Sequence, residues 1–188
     1  MIIYLARHGE TNLNKEGKFQ GISDFSLNDK GIKYANKLKK FFSNKKLDEV
    51  FSSNLKRSKE TAKIISNDFK IEKNLHEISG GIFEGKTLDE QKSKYPKEFQ
   101  ARINDKYNFV IPKGESYKTA KKRIEKLINK IIKKNYDEIL IVGHQGINRI
   151  ILQILTNMED KEVVNYDFGF DFILKIDTEK KTKRRISL

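Results

Sequence analysis

The sequence predicts an α/β fold in which helices cover both faces of a mostly parallel central sheet. Short β-branched apolar runs alternate along the chain with longer stripes of helical period, which is typical of such a layered arrangement. A length of 188 residues fits one ordinary domain, and no linker, repeat or low-complexity segment marks a second. We therefore expect a single-domain three-layer sandwich over residues 1–188.

Three apolar runs predict the central strands of this sheet. They are Ile2 to Leu5, Val50 to Phe51 and Ile139 to Val142, and each is short and nearly continuous. Strands buried on both faces of a parallel sheet have this pattern. Near the end of the chain, the segments Phe170 to Ile176 and Arg185 to Leu188 flank a charged turn, which predicts a hairpin at the sheet edge.

Four apolar stripes predict the main helices between these strands, because their members recur every three or four residues. The stripes are Ile32, Ala35, Leu38, Phe41 and Phe42; Leu55, Ala62 and Ile65; Ala120, Ile124, Leu127, Ile128, Ile131 and Ile132; and Ile147, Ile150, Ile151 and Ile154. Between Tyr95–Pro96 and the run Ile111 to Gly114, turn-forming residues bound what we expect to be an irregular insertion.

Composition excludes several classes of function. The chain has no cysteine, so disulfides, thiolate metal sites and cysteine nucleophiles are absent. Of its 39 cations, 32 are lysine, and the basic clusters carry no interleaved aromatic residues, so the net charge of +13 does not favour nucleic-acid binding. Without a long apolar run or a signal-peptide layout, we expect a cytoplasmic protein that does not bind a membrane.

Cationic and imidazole side chains stand where three of the predicted strands end. Arg7 and His8 follow the first strand, Arg57 opens the helix after the middle strand, and His144 follows the third within Gly143-His144-Gln145-Gly146. The carboxyl ends of parallel strands meet in one crevice, and helix N-termini there favour anions. Arginine offers a planar fork for phosphate, so the pattern predicts an oxyanion site.

The ordered set of motifs resembles the histidine phosphatase superfamily, the phosphoglycerate mutase-like proteins. The resemblance covers nearly the whole chain. Its motifs are Arg7-His8-Gly9-Glu10-Thr11 with Asn14, Gly17, Gln20 and Gly21; Ser52 to Ala62; Leu75-His76-Glu77 leading to Phe83-Glu84-Gly85; Gly114-Glu115-Ser116; and Val142 to Gly146.

This resemblance implies a metal-independent phosphatase that hydrolyses a small phosphate ester without a cofactor. His8 would be the nucleophile that forms a phosphohistidine, and Glu77 would be the general acid and then the general base, with Glu84 as the open alternative. The phosphoryl group would be bound by Arg7, Arg57 and His144, with further donors from Asn14, Gln20, Gly21 and Gln145.

Two alternatives to hydrolysis stay open at this point: a cofactor-dependent phosphoglycerate mutase, and a non-catalytic phosphate- or nucleic-acid-binding protein. Mutases of this family are longer and carry basic residues for a carboxylate-bearing substrate between the Glu-Gly and Gly-Glu-Ser segments. Here that stretch, Lys86 to Lys113, is compact, which favours a hydrolase over a mutase. The hydrolase is broad or specific, with α-ribazole phosphate and sugar phosphates as candidate substrates. His76, Arg102, Arg123 and Arg149 are expected to be structural or surface residues, and no histidine spacing indicates a metal site.

Overall fold

The computed structural model describes residues 1–188 and contains one six-stranded sheet with the strand order β3-β2-β4-β1-β5-β6. The strands are β1 Ile2–Arg7, β2 Glu49–Ser52, β3 Lys70–Ile71, β4 Glu138–Gly143, β5 Phe172–Asp177 and β6 Thr182–Ser187. Strands β1 to β4 pair in parallel, whereas β5 and β6 form the predicted antiparallel hairpin at one edge. Strands from both ends of the chain share this sheet, which fits the expected single domain.

The register of the central strands aligns the ends that matter for function. Strand β1 pairs with β4 from Ile2 opposite Glu138 to Arg7 opposite Gly143. The ladder continues one residue further, because the His8 N–H donates to the Gly143 carbonyl at 2.9 Å. The residues that follow β1 and β4 therefore begin side by side at one edge of the sheet.

Alternate residues of the central strands face two separate hydrophobic cores, as the pleat of a sheet requires. Ile3 and Leu5 of β1 contribute to the larger core, and Tyr4 and Ala6 contribute to the smaller one. Burial on both faces explains why these strands have nearly continuous apolar sequences.

Helices pack on both faces and supply the rest of each core. The helices are α1 Asn12–Lys15, α2 Asp29–Phe42, α3 Lys56–Ile65, α4 Leu88–Lys94, α5 Pro96–Asn104, α6 Tyr117–Ile132, α7 Gln145–Thr156 and α8 Asp160–Val163. Helices α6 and α7 cover the larger core, and α2 with α3 covers the smaller one. The predicted α/β class is confirmed, and no helix is long and apolar enough to cross a membrane.

The expectation of an irregular insertion between Tyr95–Pro96 and Ile111 to Gly114 is wrong for its first half, because α5 occupies that part, and α4 lies directly before it. Thr87 caps α4 through a capping box with Glu90, and Pro96 begins α5 at a position where its missing N–H costs no hydrogen bond. These two helices bring the segment back over the edge of the sheet where β1 and β4 end, as Arg102 and Lys106 line the cleft there.

Candidate active site

A cleft opens where β1, β2 and β4 end, and it contains most of the residues predicted for the site. Arg7, His8, Asn14, Gln20, Gly21, Arg57, Glu77 and Gln145 all line it. His144 lies directly behind His8, fully buried, with 5.0 Å between the two ring centroids. The structure therefore brings together every side chain that the sequence nominated except Glu84.

His8 is held as a neutral imidazole with its Nε2 atom free of a proton. Its Nδ1 lies 2.7 Å from the Gly9 carbonyl oxygen, which can only accept, so we assign the ring proton to Nδ1. Nε2 accepts a hydrogen bond from Arg57 Nε at 3.2 Å. Burial, then the charges of Arg57 and Arg7, lower the pKa of His8 well below its ordinary value. The lone pair of Nε2 is thus available at neutral pH.

His144 offers a hydrogen-bond donor beside His8. Its Nε2 lies 2.7 Å from Ser53 Oγ, a hydroxyl that already accepts the Leu55 N–H. We assign the Ser53 proton to this contact, which leaves the ring proton of His144 on Nδ1, a buried atom without a partner. Burial and the neighbouring charge of Arg57 lower the pKa of His144 well below its ordinary value, so this ring is neutral too.

The two arginines of the site are fixed by main-chain carbonyls and not by carboxylates. Arg57 is fully buried and donates to the carbonyls of Ser23 and Gly21 at 2.7 and 2.8 Å. Arg7 donates to the Phe168 carbonyl at 3.1 Å and lies 4.4 Å from the centroid of the Phe170 ring. Burial lowers the pKa of Arg57 to about 10, so it keeps its charge at neutral pH. Both positive charges are left for an anionic ligand.

Glu77 reaches the site through the start of α7. Its Oε1 accepts the N–H groups of Ile78 and Ile147 at 2.8 and 3.2 Å, and its Oε2 accepts the Gly146 N–H at 3.0 Å. A carboxylate has about four acceptor positions, so one position on Oε2 stays free. Gly146 permits this docking, because a Cβ at that position would lie 2.7 Å from Glu77 Oε1.

Glu84, the alternative acid, instead forms hydrogen bonds that hold two loops together. Its Oε1 accepts the N–H groups of Gly80 and Ile22, and its Oε2 accepts the Ser23 N–H and hydroxyl. All of its acceptor positions are therefore occupied, and it does not line the cleft. Two of its partners, Ile22 and Ser23, directly follow Gly21. The backbone of Gly21 has a φ of +52°, which glycine adopts without strain.

The remaining predicted residues contribute through different groups. The side-chain oxygen of Asn14 accepts hydrogen bonds from the N–H and the hydroxyl of Thr11 in the capping box of α1. The side-chain NH₂ group is therefore the part of Asn14 that is left to donate to a ligand. Gln20 is buried with its Oε1 unpartnered. The Gln145 side chain bonds Asp167 and the Phe168 N–H, so only its main chain, at the start of α7, is left for the cleft.

Three cations that the sequence analysis did not place in the site form a second group in the same cleft. Arg102, Lys106 and Arg149 all line it, and none of them pairs with a carboxylate. Arg149 is buried and donates to the Tyr117 hydroxyl at 2.8 Å. Burial, then the charges of Arg149 and Arg102, lower the pKa of Lys106 to about 8. Arg102 and Arg149 were expected to be structural or surface residues; Arg149 does bond other residues of the fold, and both also line the cleft. Arg123 is structural, since it bonds Glu115 and the Glu77 carbonyl.

A neutral histidine, two arginines without acidic partners and a carboxylate lie together at the carboxyl ends of the strands. This arrangement is typical of a protein that binds phosphate esters. The model of the Histidine phosphatase superfamily (branch 1) matches residues 3–184. The chain belongs to this superfamily, which confirms the predicted family.

Solved structures agree with this assignment over the full chain. The chain superimposes on the α-ribazole phosphatase from Shigella flexneri with a TM-score of 0.86 and 26% identity, covering 100% of this chain and 96% of that one. The phosphoglycerate mutase from Thermus thermophilus gives a TM-score of 0.78 at 24% identity, covering 100% and 99%. The latter shows a shared fold.

Among curated proteins, the 6-phosphofructo-2-kinase/fructose-2,6-bisphosphatase of Gallus gallus is 35% identical over 176 residues, or 93% of this chain. The human 6-phosphofructo-2-kinase/fructose-2,6-bisphosphatase 1 is 32% identical over the same length. The chain spans 37% and 36% of the lengths of these two relatives. Phosphatases thus recur among its relatives, which supports the predicted class of enzyme.

Proposed function

We propose that this chain is a phosphomonoester hydrolase that transfers the phosphoryl group of a small metabolite to His8 and then to water. The observation that carries the proposal is the state of His8: a buried, neutral ring whose proton is held on Nδ1 and whose Nε2 lone pair faces a guanidinium. A binding protein has no need of a nucleophile prepared in this way.

The first step forms a bond from His8 Nε2 to phosphorus and breaks the bond from phosphorus to the ester oxygen. Arg57 Nε–H, which bonds Nε2 in the free protein, must move its hydrogen bond to a phosphoryl oxygen for attack to occur. The leaving oxygen takes a proton from Glu77, whose only unoccupied acceptor position is on Oε2. Water then attacks phosphorus and gives a proton back to Glu77, while the bond from phosphorus to His8 Nε2 breaks and inorganic phosphate leaves.

Charge on the transferring group is stabilised by donors that are already in place. Arg7 and Arg57 offer guanidinium N–H groups, and His144 offers Nδ1–H. Because main-chain carbonyls hold both arginines, their charge is not neutralised before the substrate arrives. We propose that these groups replace a metal ion and that the reaction needs no cofactor. Full activity after exhaustive chelation is the expected result, and activity that depends on added Mg²⁺ or Zn²⁺ would contradict it.

We propose further that the substrate carries a second anionic group. Arg102, Lys106 and Arg149 line the cleft beyond the phosphoryl site with no acidic partner, and a group of uncompensated cations is stabilised by an anion. The relative from Gallus gallus is named for fructose 2,6-bisphosphate, which has two phosphates. This favours a sugar bisphosphate over α-ribazole phosphate. On this proposal, Arg102 and Lys106 in the stretch Lys86 to Lys113 are basic residues that contact the substrate.

Steady-state kinetics with four substrates tests the proposal. We expect fructose 2,6-bisphosphate to have a higher kcat/KM than α-ribazole 5′-phosphate or phosphoserine, with inorganic phosphate as a product. With 3-phosphoglycerate and its bisphosphate cofactor, isomerisation without phosphate release would instead identify a mutase. Binding without turnover of any ester would identify a phosphate-binding protein. Cytoplasmic location stays a prediction.

A matched pair of lysines on one stretch of chain tests the second anion site. Lys106 is half-buried and lines the cleft, whereas Lys97, in α5, is exposed to solvent and lies outside the cleft. We expect Lys106→Met to raise KM for the bisphosphate by about ten-fold, the equivalent of one hydrogen bond to a charged group. Lys97→Met should leave KM unchanged. Equal effects of the two variants would refute the assignment of Lys106.

A further inference from the structure

Residues Val164 to Phe168 leave α8 through a turn at Val164 and Asn165, and this segment, here called the carbonyl strap, holds three cations of the cleft by main-chain oxygens. The Val164 carbonyl accepts from Lys106 Nζ at 2.8 Å, the Tyr166 carbonyl from Arg149 Nε at 2.6 Å and the Phe168 carbonyl from Arg7 at 3.1 Å. The residues between them, Asn165 and Asp167, are exposed. Three carbonyls of one short segment thus each bond a cation that lines the cleft.

The strap connects the two anion sites of the proposed function. Arg7 belongs to the phosphoryl site, and Lys106 and Arg149 belong to the second site. A carbonyl oxygen positions a cation without cancelling its charge, so the strap orients these groups and leaves them attractive to an anion. Because one short segment bonds to both sites, a shift of the strap changes the distance between them.

The strap belongs to no strand, and the residue that holds its outer side is Arg185 of β6. Arg185 donates to the Asp167 carbonyl and to the Tyr166 hydroxyl, both at 3.1 Å. Its Cζ lies 4.7 Å from the centroid of the Tyr166 ring and 4.5 Å from that of Phe172. From the other side, the Gln145 side chain bonds the Phe168 N–H and the Asp167 carboxylate.

We propose that Arg185 is a positioning residue that fixes the separation of the two anion sites through the carbonyl strap. It lies on an exposed edge strand, does not line the cleft, and bonds the strap at Tyr166 and Asp167. This inference rests on the proposed function, because it assigns Arg185 to selection of doubly anionic substrates. Loss of Arg185 lets the strap move, and a substrate that must reach both sites is affected more than one that uses the phosphoryl site alone.

The test compares Arg185→Ala with Arg184→Ala on two substrates. Arg184 is the neighbouring exposed arginine of β6, and its side chain makes no hydrogen bond or ion pair with the rest of the chain. For Arg185→Ala we expect KM for fructose 2,6-bisphosphate to rise about ten-fold with kcat within about two-fold, as for loss of one charge-assisted hydrogen bond. For nitrophenyl phosphate, which has one anionic group, KM should stay within about three-fold, because Arg57 is held elsewhere.

Two further variants separate positioning from a general loss of stability. Arg185→Lys keeps one donor for the Asp167 carbonyl, so it should restore part of the KM for the bisphosphate. Tyr166→Phe removes only the hydroxyl that Arg185 bonds, and its effect should have the same substrate preference at smaller size. Equal changes for both substrates, no change in Arg185→Ala, or the same change in Arg184→Ala would each overturn the proposal.

A binding measurement distinguishes failure of this inference from failure of the proposed function. Calorimetric titration of His8→Ala protein with fructose 2,6-bisphosphate measures affinity without turnover. Suppose that wild-type protein hydrolyses no ester, but that adding Arg185→Ala to the His8→Ala protein weakens binding of the bisphosphate about ten-fold more than binding of inorganic phosphate. The positioning role is then supported and the proposed hydrolysis is not. If hydrolysis is found and this binding is unaffected by Arg185→Ala, the positioning role is wrong.

Discussion

Replacing Glu77 by glutamine tests its role as proton donor, because the structure gives each of its carboxylate oxygens a different task. Oε1 accepts two N–H groups, from Ile78 and Ile147, and Oε2 accepts the Gly146 N–H. A glutamine can keep its oxygen at the Oε1 position and must then place its NH₂ group opposite the Gly146 N–H. It cannot supply a proton to a leaving alkoxide from the free position on Oε2.

The substitution therefore has two separable consequences. One buried N–H loses its acceptor, which costs about 1–3 kcal/mol of stability. For a chain of this size that lowers Tm by roughly 2–12 °C. Loss of general acid catalysis slows the first chemical step by ~10²–10⁴ for an alkyl phosphate. An ester of nitrophenol releases a stabilised anion, so for this substrate we expect a loss of less than about ten-fold.

The assay is the single-turnover rate of phosphoenzyme formation, measured as release of the alcohol from a sugar phosphate and of nitrophenol from nitrophenyl phosphate, with Tm measured on the same samples. If the new glutamine disturbs the position of His8, both substrates are slowed by the same factor. The ratio of the rate losses for the two substrates therefore reports proton transfer alone. Glu84→Gln provides the comparison, because Glu84 holds the loops at Ile22 and Gly80 without touching the cleft. It should slow both substrates by one common factor.

Equal losses for both substrates in Glu77→Gln would refute the assignment of Glu77 as the acid. A larger loss for the sugar phosphate in Glu84→Gln would transfer that role to Glu84, in spite of its occupied oxygens.

Three more predictions follow from the same geometry. His8→Ala abolishes turnover in a folded protein, and rapid quench of the wild type traps an acid-labile, base-stable phosphoenzyme; a variant that keeps its activity would exclude His8 as the nucleophile. As pH rises through about 8, the pKa of Lys106, its charge is lost, so KM for a bisphosphate rises while KM for nitrophenyl phosphate does not; parallel profiles would exclude Lys106 from the second site. Gly146→Ala pushes Glu77 away, so kcat for a sugar phosphate falls by ~10² or more and Tm falls as the N–H groups of Gly146 and Ile147 lose their acceptor; a fully active variant would contradict the contact.

The central sheet could be predicted because its strands are buried on both faces, which forces continuous apolar runs such as Ile139 to Val142. Helices α4 and α5 could not be predicted from apolar periodicity. Helix α5 has no buried residue, and the only buried residue of α4 is Gln91. Their signals were local: the capping box begun by Thr87 and the proline at the start of α5.

The meeting of Arg7, His8 and His144 in one place could be predicted because each stands at or just after the end of a strand, where position along the chain fixes position in space. The second group of cations could not, since burial of Arg149 on α7 depends on Tyr117 and Tyr166, which are distant in sequence. The chain has only 7 arginines among its 39 cations, and this scarcity was the available signal that an arginine such as Arg102 has a specific place.

Burial of cations without acids links substrate binding to the stability of the fold. The pKa of Lys106 is about 8 in the folded chain and near its ordinary 10.5 when unfolded, so between these values the unfolded chain binds more protons. Stability therefore rises with pH across that window, since deprotonation removes a charge that burial and two arginines disfavour. An anion between Arg102, Lys106 and Arg149 reverses this effect, because it favours the protonated lysine. If the substrate is doubly anionic as proposed, the uncompensated charge that weakens the free protein becomes binding energy for it, which is a physical reason for a fold to keep that charge.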